Sequence, residues 1–367
     1  MKNLFLLILS VLVIFSQIIS FQGKAKNGWA DKPVYWSTVM NPTYKGYLDR
    51  YFEWRKKNNL PENRIVIDVN SFGIQKTVVQ SVAGVASDII DTHGEIAYYR
   101  EMEIIENLDA YPDIVSAVRS NLEAFPAVRD IYFKGGHLAG VPTRIHTSLF
   151  VVNQDALTKV GMGKLPFTPT LDQYETLARE FVRLANAGKN HRDSFFSPFI
   201  PYATLFHASG ISLFNESGTA LADFDEGRSR LMNRYLRWIY EDHIIPSAAE
   251  MSSFTGDYNG LSVYFSLFYK GQLATMWGAR YIAIFMRQMA KPVQMGAMLP
   301  PNGGYPVTDI GYGGLTLYKG SKNKEKALGF MRWCTSAEFA RAVVDSSDAI
   351  PPFSGVFDEP ALNHPAR

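Results

Sequence analysis

The stretch Tyr132-Phe-Lys-Gly-Gly-His-Leu-Ala-Gly-Val-Pro-Thr-Arg-Ile-His-Thr-Ser-Leu-Phe-Val-Val-Asn153 decides how this chain is divided. It opens on a Gly135-Gly136 turn and passes into an apolar run ending at Val141-Pro142. Thr143, Arg144 and His146 read as a polar stop. A second apolar run, Ser148 to Val152, follows almost at once. Two strands joined end to end by polar residues do not suit a hairpin. They suit a strand that leaves one lobe and enters another, with the junction exposed in a cleft. The expectation is a hinge with the functional site beside it.

The length fits that division. A chain of 367 residues exceeds one ordinary core and predicts two domains. Hydrophobic residues make up 47% and charged residues 20%, a globular mixture. A net charge of +2 gives no basic excess for nucleic acid. Aromatics reach 13%, which serves equally a large aromatic core or a cleft walled by rings. The lone cysteine, Cys334, rules out an internal disulfide and a Cys-rich metal site. It lies in a helical pattern from Ala327 and reads as a buried, inert thiol.

Upstream, Lys2 precedes an almost unbroken apolar run from Leu4 to Ile19, and small and polar residues follow at Ser20, Gly23 and Ala25. This predicts a signal peptide over 1–25 and a periplasmic or extracellular protein. No cysteine follows the run, so lipid attachment at this signal is not expected.

Before residue 95 the pattern is β-α-β-α-β. Strands are predicted at Pro33–Ser37, Arg64–Val69 and Asp88–Asp91. Helices are predicted at Tyr47–Lys57 and Ile74–Val85. This alternation predicts an α/β lobe with a mostly parallel sheet and a ligand site beyond the carboxyl ends of its strands. Trp36-Ser37, Asn70-Ser71 and Asp91-Thr92-His93 are those ends. Farther on, Thr170-Leu-Asp-Gln173 reads as a capping box, and so does Thr335-Ser-Ala-Glu338. Asp309 to Tyr318 reads as a two-part strand with glycines at its centre.

The chain carries no Gly-rich phosphate loop, no H-E-x-x-H and no G-x-S-x-G. Asp91 and Glu95 could pair as catalytic carboxylates but read better as loop-end groups that cap or bind. Tyr98-Tyr99 reads as a helix face with one ring buried. The candidate ligand contacts are Tyr35, Trp36, Asp91, His93, Arg144, His146, Trp277, Arg280, Tyr281 and Tyr312. Ring faces can lie on the C–H face of a sugar, and carboxylate, guanidinium and imidazole groups can hold its hydroxyls.

The order of motifs resembles the extracellular solute-binding proteins of bacterial ABC importers, the family that includes maltose-binding protein. The resemblance runs from Tyr35 to about Pro352. Its carriers are Ala86-Ser-Asp-Ile-Ile90, Ile105-Glu-Asn-Leu-Asp109, and Gly136-His-Leu-Ala-Gly-Val-Pro142 with Val152-Asn153. Thr168-Pro-Thr-Leu-Asp-Gln173, Phe268-Tyr-Lys-Gly-Gln-Leu-Ala-Thr-Met276, and Gly313-Gly314 with Ser321-Lys-Asn-Lys-Glu-Lys-Ala327 complete it. Leu171 stands where the family favours Trp.

The resemblance implies a two-lobed periplasmic-binding-protein fold, each lobe a mostly parallel sheet flanked by helices. It assigns 33–142 and 309–336 to the first lobe, and 143–306 and 337–367 to the second. It implies a monomer that binds a mono- or oligosaccharide, performs no chemistry, needs no cofactor or metal, and docks on an ABC transporter permease. It adds the Thr92–Glu95 segment, and so Glu95, to the ligand contacts. Affinity on the order of micromolar, roughly −8 kcal/mol, would suit capture and release. A sensing module that docks on a receptor, or an exported carbohydrate-active enzyme, are the alternatives. The family usually continues past Pro351-Pro352 with further helices, which this sequence lacks.

Overall fold

The structure, a computed structural model, describes residues 32–70, 74–223, 225–254, 260–287, 289–346 and 349–358. The expected signal peptide, Ser71, Phe224 and the last nine residues lie outside them. The described chain divides into two compact units. Unit 1 holds the residues up to Thr143 and Gly313–Ala342, and unit 2 holds Arg144–Tyr312 and the residues from Val343.

The strands, in chain order, are β1 (Val34–Thr38), β2 (Ile65–Val69), β3 (Ile89–Asp91), β4 (Phe133–Lys134), β5 (His137–Leu138), β6 (Val141–Thr147), β7 (Leu149–Asn153), β8 (Thr275–Gly278), β9 (Met295–Met298) and β10 (Ile310–Leu317). Unit 1 is built on a sheet ordered β2-β1-β3-β10-β6. β1 runs parallel to both β2 and β3, as the β-α-β-α-β pattern predicts, and β10 joins β3 antiparallel.

The first helix begins earlier than its apolar spacing suggested. It spans Pro42–Lys57, with Asn41 as its cap and Pro42 in its first turn. Asn41 Oδ1 accepts from the Thr43 amide at 3.0 Å. The helix Ile74–Val82 stops short of Val85, and Gly84 turns the chain with φ 69°.

Aromatic rings make this unit's core. Trp36 from β1 lies 4.9 Å from Tyr44 and 5.5 Å from Phe330 between ring centroids. Tyr51 meets Phe330 at 5.0 Å and Trp333 at 5.3 Å, and Phe339 closes on Trp333 at 5.2 Å. Cys334 is buried beside them at the end of the helix Lys324–Cys334, and burial pushes its thiol pKa up, as an inert role requires. Much of the aromatic content is therefore spent on packing.

The polar stop at residues 143–146 is not a stop. β6 runs unbroken through it. Val141, Thr143 and Ile145 are buried on one face, and Arg144 and His146 alternate onto the other, half-buried. The chain passes from unit 1 to unit 2 inside this strand, between Thr143 and Arg144. β10 is likewise one strand. Its glycines mark close approach: a Cβ on Gly314 would lie 2.5 Å from the Val141 carbonyl oxygen and 2.8 Å from Pro142 Cα. Gly314→Ala is expected to cost about 1–3 kcal/mol through forced displacement of β6. The midpoint of chemical denaturation measures it.

Unit 2 corrects the expectation of a mostly parallel sheet in each lobe. Its sheet has the order β8-β7-β9, and β7 is antiparallel to both neighbours. The apolar run in β7 reflects cover on both faces, not strand direction. Phe150 and Val152 enter one core cluster with Phe181, Phe196 and Trp238. Val151 enters another with Phe195, Leu267 and Phe268. The helix Leu171–Ala185 starts with the predicted box: Thr170 and Gln173 exchange side-chain-to-backbone bonds.

The second predicted box is displaced by one residue. The helix Ala337–Ser346 is capped by Ser336, whose Oγ accepts from the Phe339 amide at 3.3 Å. The Thr335 hydroxyl instead donates back to the Arg332 carbonyl, finishing the preceding helix.

Candidate functional site

In unit 1 Asp91, His93 and Glu95 gather at the carboxyl end of β3, beside Thr38 at the end of β1, while Tyr35 lies toward the amino end of β1, its amide donating to Asp88 Oδ2 at 3.0 Å. β3 ends on Asp91, which is buried at the strand end. Its Oδ2 accepts from the Thr38 hydroxyl at 2.8 Å and lies 3.5 Å from His93 Nε2. The chain then turns tightly. Thr92 donates from its amide to Gly314 O at 2.9 Å, His93 takes φ 40°, Gly94 takes φ 96°, and the Glu95 amide returns to Thr92 O at 2.6 Å. A histidine in the left-handed region costs conformational energy, so this turn is held by its surroundings. The turn delivers Glu95 to the start of the helix Ile96–Glu101.

Glu95 is half-buried, and Tyr99 donates to its Oε2 at 3.0 Å. Burial raises the Glu95 pKa, the Tyr99 donor lowers it, and the Asp91 charge raises it again, leaving it above the usual value. Of the Tyr98-Tyr99 pair one ring is buried, as expected: Tyr99 is covered and Tyr98 exposed.

Trp36 does not belong to this set. It shares the face of β1 that packs on Tyr44 and Phe330, and it is 3% exposed. Its neighbour Tyr35, on the opposite face, is 46% exposed. The period of two assigns one of the pair to the core, and only helix packing decides which. Sequence reasoning also missed Thr38 and Tyr99 as supports of the two carboxylates, since each comes from a different element.

In unit 2 the candidates gather around the outer face of β6 and the end of β8. Trp277 pairs across from Phe150 in the β7–β8 register, with the rings edge-on at 5.1 Å. It is half-buried at the margin of the core. Half-buried Arg280 follows, and Tyr281 opens the helix Tyr281–Arg287. The Tyr281 ring meets the His146 ring edge-on at 6.4 Å.

Two glycines make room for these rings. A Cβ on Gly278 would lie 2.8 Å from the Tyr281 hydroxyl, and one on Gly311 would lie 1.9 Å from His146 Nε2. Tyr312 is half-buried beside Gly311, and burial raises the phenol pKa of both Tyr312 and Tyr281. Arg144 shares the half-buried face of β6 with His146. Unit 1 thus brings Asp91, His93 and Glu95 into one turn, and unit 2 brings the rings of His146 and Tyr281 together.

Among the described residues no group of three or more His, Cys, Asp or Glu side chains is arranged to hold a metal ion.

The sequence matches the family described as bacterial extracellular solute-binding protein over residues 62–366. No curated protein matches it significantly. Among solved structures it is similar to an ABC substrate-binding protein from Listeria monocytogenes in complex with cycloalternan. That match has a TM-score of 0.74 and 18% identity, covering 92% of this chain and 84% of the other. It is also similar to the maltose/maltodextrin-binding domain from Bdellovibrio bacteriovorus bound to maltotriose, with a TM-score of 0.69, 14% identity, and 91% and 84% coverage. A solute-binding protein from Agrobacterium vitis with bound D-mannitol matches with a TM-score of 0.65, 19% identity, and 87% and 76% coverage. At these identities the likeness is one of fold: two α/β lobes.

Proposed function

The chain belongs to the bacterial extracellular solute-binding protein family, and from that premise we propose that it captures a carbohydrate and hands it to the permease of an ABC importer. The family is one of binding proteins, and the protein acts on its ligand without turning it over. Residues 1–25 direct its export, and it works as a monomer.

The observation that carries the reading is the division of polar chemistry between the units. Half-buried Glu95 offers an acceptor on unit 1, with the covered Asp91 charge close enough to act on it. Unit 2 carries half-buried Arg144 and Arg280 and the rings of Trp277 and Tyr281. A sugar hydroxyl both donates and accepts, and a pyranose offers an apolar C–H face to a ring. A polyhydroxylated ligand can satisfy both sets at once. The similar structures solved with cycloalternan, maltotriose and D-mannitol favour the same ligand class.

The ligand contacts are Tyr35, His93, Glu95, Arg144, His146, Trp277, Arg280, Tyr281 and Tyr312, with covered Asp91 acting through His93 and Glu95. A ligand held by both units favours whichever arrangement lets both touch it, the differential affinity behind hinge closure in periplasmic binding proteins. The permease would read that ligand-bound arrangement.

A thermal-shift screen with maltotriose, D-mannitol and D-tagatose tests the reading. At a hundredfold excess over Kd, a bound sugar stabilises the fold by about 2.7 kcal/mol. Trp277→Ala and Arg144→Ala are each expected to remove that shift while leaving the unliganded melting temperature within a few degrees. Stabilisation that survives both changes would show that the sugar sits elsewhere. Release of cleaved sugar would identify an enzyme instead.

A further inference from the structure

A line of side chains drawn from three segments stands behind Glu95. Asn70, directly after β2, donates from Nδ2 to Thr77 Oγ1 at 3.1 Å. Thr77 is buried in the helix Ile74–Val82, close to the Tyr99 phenol. Tyr99, 2% exposed, donates to Glu95 Oε2 at 3.0 Å. The bond that reaches the carboxylate is the one from the Tyr99 phenol, whose ring is fixed by its burial.

We infer that Tyr99 is a positioning residue for ligand capture: its buried phenol holds the Glu95 carboxylate in place as an acceptor for ligand hydroxyls. The inference rests on the reading of Glu95 as a ligand contact. A glutamate has three rotatable side-chain bonds, and a ligand must otherwise freeze them when it binds. Here the fold has already done so. Glu95 stays half-buried, so the held carboxylate still reaches the surface.

The titratable groups around Glu95 are Asp91 at the end of β3, His93 in the turn, and Tyr99 one helical turn away. Burial and Asp91 both push the Glu95 pKa up, and the Tyr99 hydroxyl is the group that opposes them. Deleting that hydroxyl therefore moves the pKa further up. A ligand that needs the ionised carboxylate is then lost at a higher pH as the solution is acidified.

The test uses the full chain as wild type, Tyr99→Phe, Glu95→Gln and the double variant. Titration calorimetry with maltotriose, D-mannitol and D-tagatose is run across the acid range, and carboxyl-detected NMR follows Glu95 without ligand. Tyr99→Phe is expected to weaken binding about tenfold and to shift the acid edge of binding to higher pH. In the Glu95→Gln background the same change should have no further effect.

An equal loss from Tyr99→Phe in the Glu95→Gln background would overturn the inference, because Tyr99 would then act on the fold and not through Glu95. An unchanged Glu95 titration in ligand-free Tyr99→Phe would overturn it too. If wild type binds none of the three sugars, the carbohydrate reading fails, while the ligand-free titration still decides the role of Tyr99.

Discussion

Glu175→Ala is expected to destabilise unit 2 by about 3–5 kcal/mol, the largest single loss outside the aromatic cores. Glu175 lies in the helix Leu171–Ala185 and is 6% exposed. Its Oε1 accepts from Trp238 Nε1, from Arg234 Nε at 2.8 Å and from an Arg237 guanidinium nitrogen at 3.0 Å. Arg179 stands 3.5 Å from the other oxygen. Alanine would strand the fully buried indole N–H and remove the acceptor on which Arg234 and Arg237 converge, leaving Asp172 and Asp242 as their remaining carboxylates. Losing a covered acceptor shared by an indole and two guanidinium groups is what makes such a loss large.

The pH dependence follows from the same contacts. Burial alone pushes the Glu175 carboxyl up, and the hydrogen bonds from Arg234, Trp238 and Arg237 more than reverse it, leaving the pKa lowered. A lowered folded-state pKa contributes stability that is complete above the ordinary carboxyl range. That stability is lost as pH falls through the folded-state value. Wild type should therefore lose more stability on acidification than Glu175→Ala. Denaturant midpoints at neutral and acid pH give the comparison, and parallel curves would mean the carboxylate is not held as described.

Asp91→Asn is the second large effect, and it falls on binding. The substitution keeps the shape of the side chain and removes its charge. Its Thr38 partner can still donate to the amide oxygen, so the melting temperature should change little. The side chain is fully covered, so the change reaches a ligand through its neighbours: His93 loses the carboxylate 3.5 Å from its Nε2, and Glu95 loses a nearby charge. The loss of one such charged contact amounts to roughly tenfold in Kd. Calorimetry measures the loss, and wild-type affinity in Asp91→Asn would remove this residue from the site.

Much of this architecture can be read from the residue pattern. The β-α-β-α-β alternation before residue 95 appears as the parallel trio β1, β2 and β3, and Thr170-Leu-Asp-Gln173 forms its capping box in full. Local signals of this kind carry their own geometry. The readings that failed needed long-range information. In Thr143–His146 polar residues at alternate positions look like an interruption until the other face is seen to be buried. Thr335 and Ser336 are both hydroxyl residues, and only the end of the preceding helix decides which one caps the next.

Trp36 and Tyr35 are adjacent aromatics, and packing against Tyr44 and Phe330 gives the core to Trp36. The support of Glu95 is the extreme case. Tyr99 belongs to no motif, and only the tight turn after β3 brings Glu95 to its phenol. The antiparallel sheet of unit 2 was hidden because a strand covered on both faces looks alike whichever way its neighbours run.

The most direct test of the proposed capture is a crystal structure of the protein grown with the sugar that gives the largest thermal shift. The account predicts one sugar in hydrogen-bond contact with His93 or Glu95 from unit 1 and with Arg144 or Arg280 from unit 2, and a ring of Trp277 or Tyr281 against its C–H face. A sugar bound away from both sets, or touching the residues of one unit alone, would contradict it.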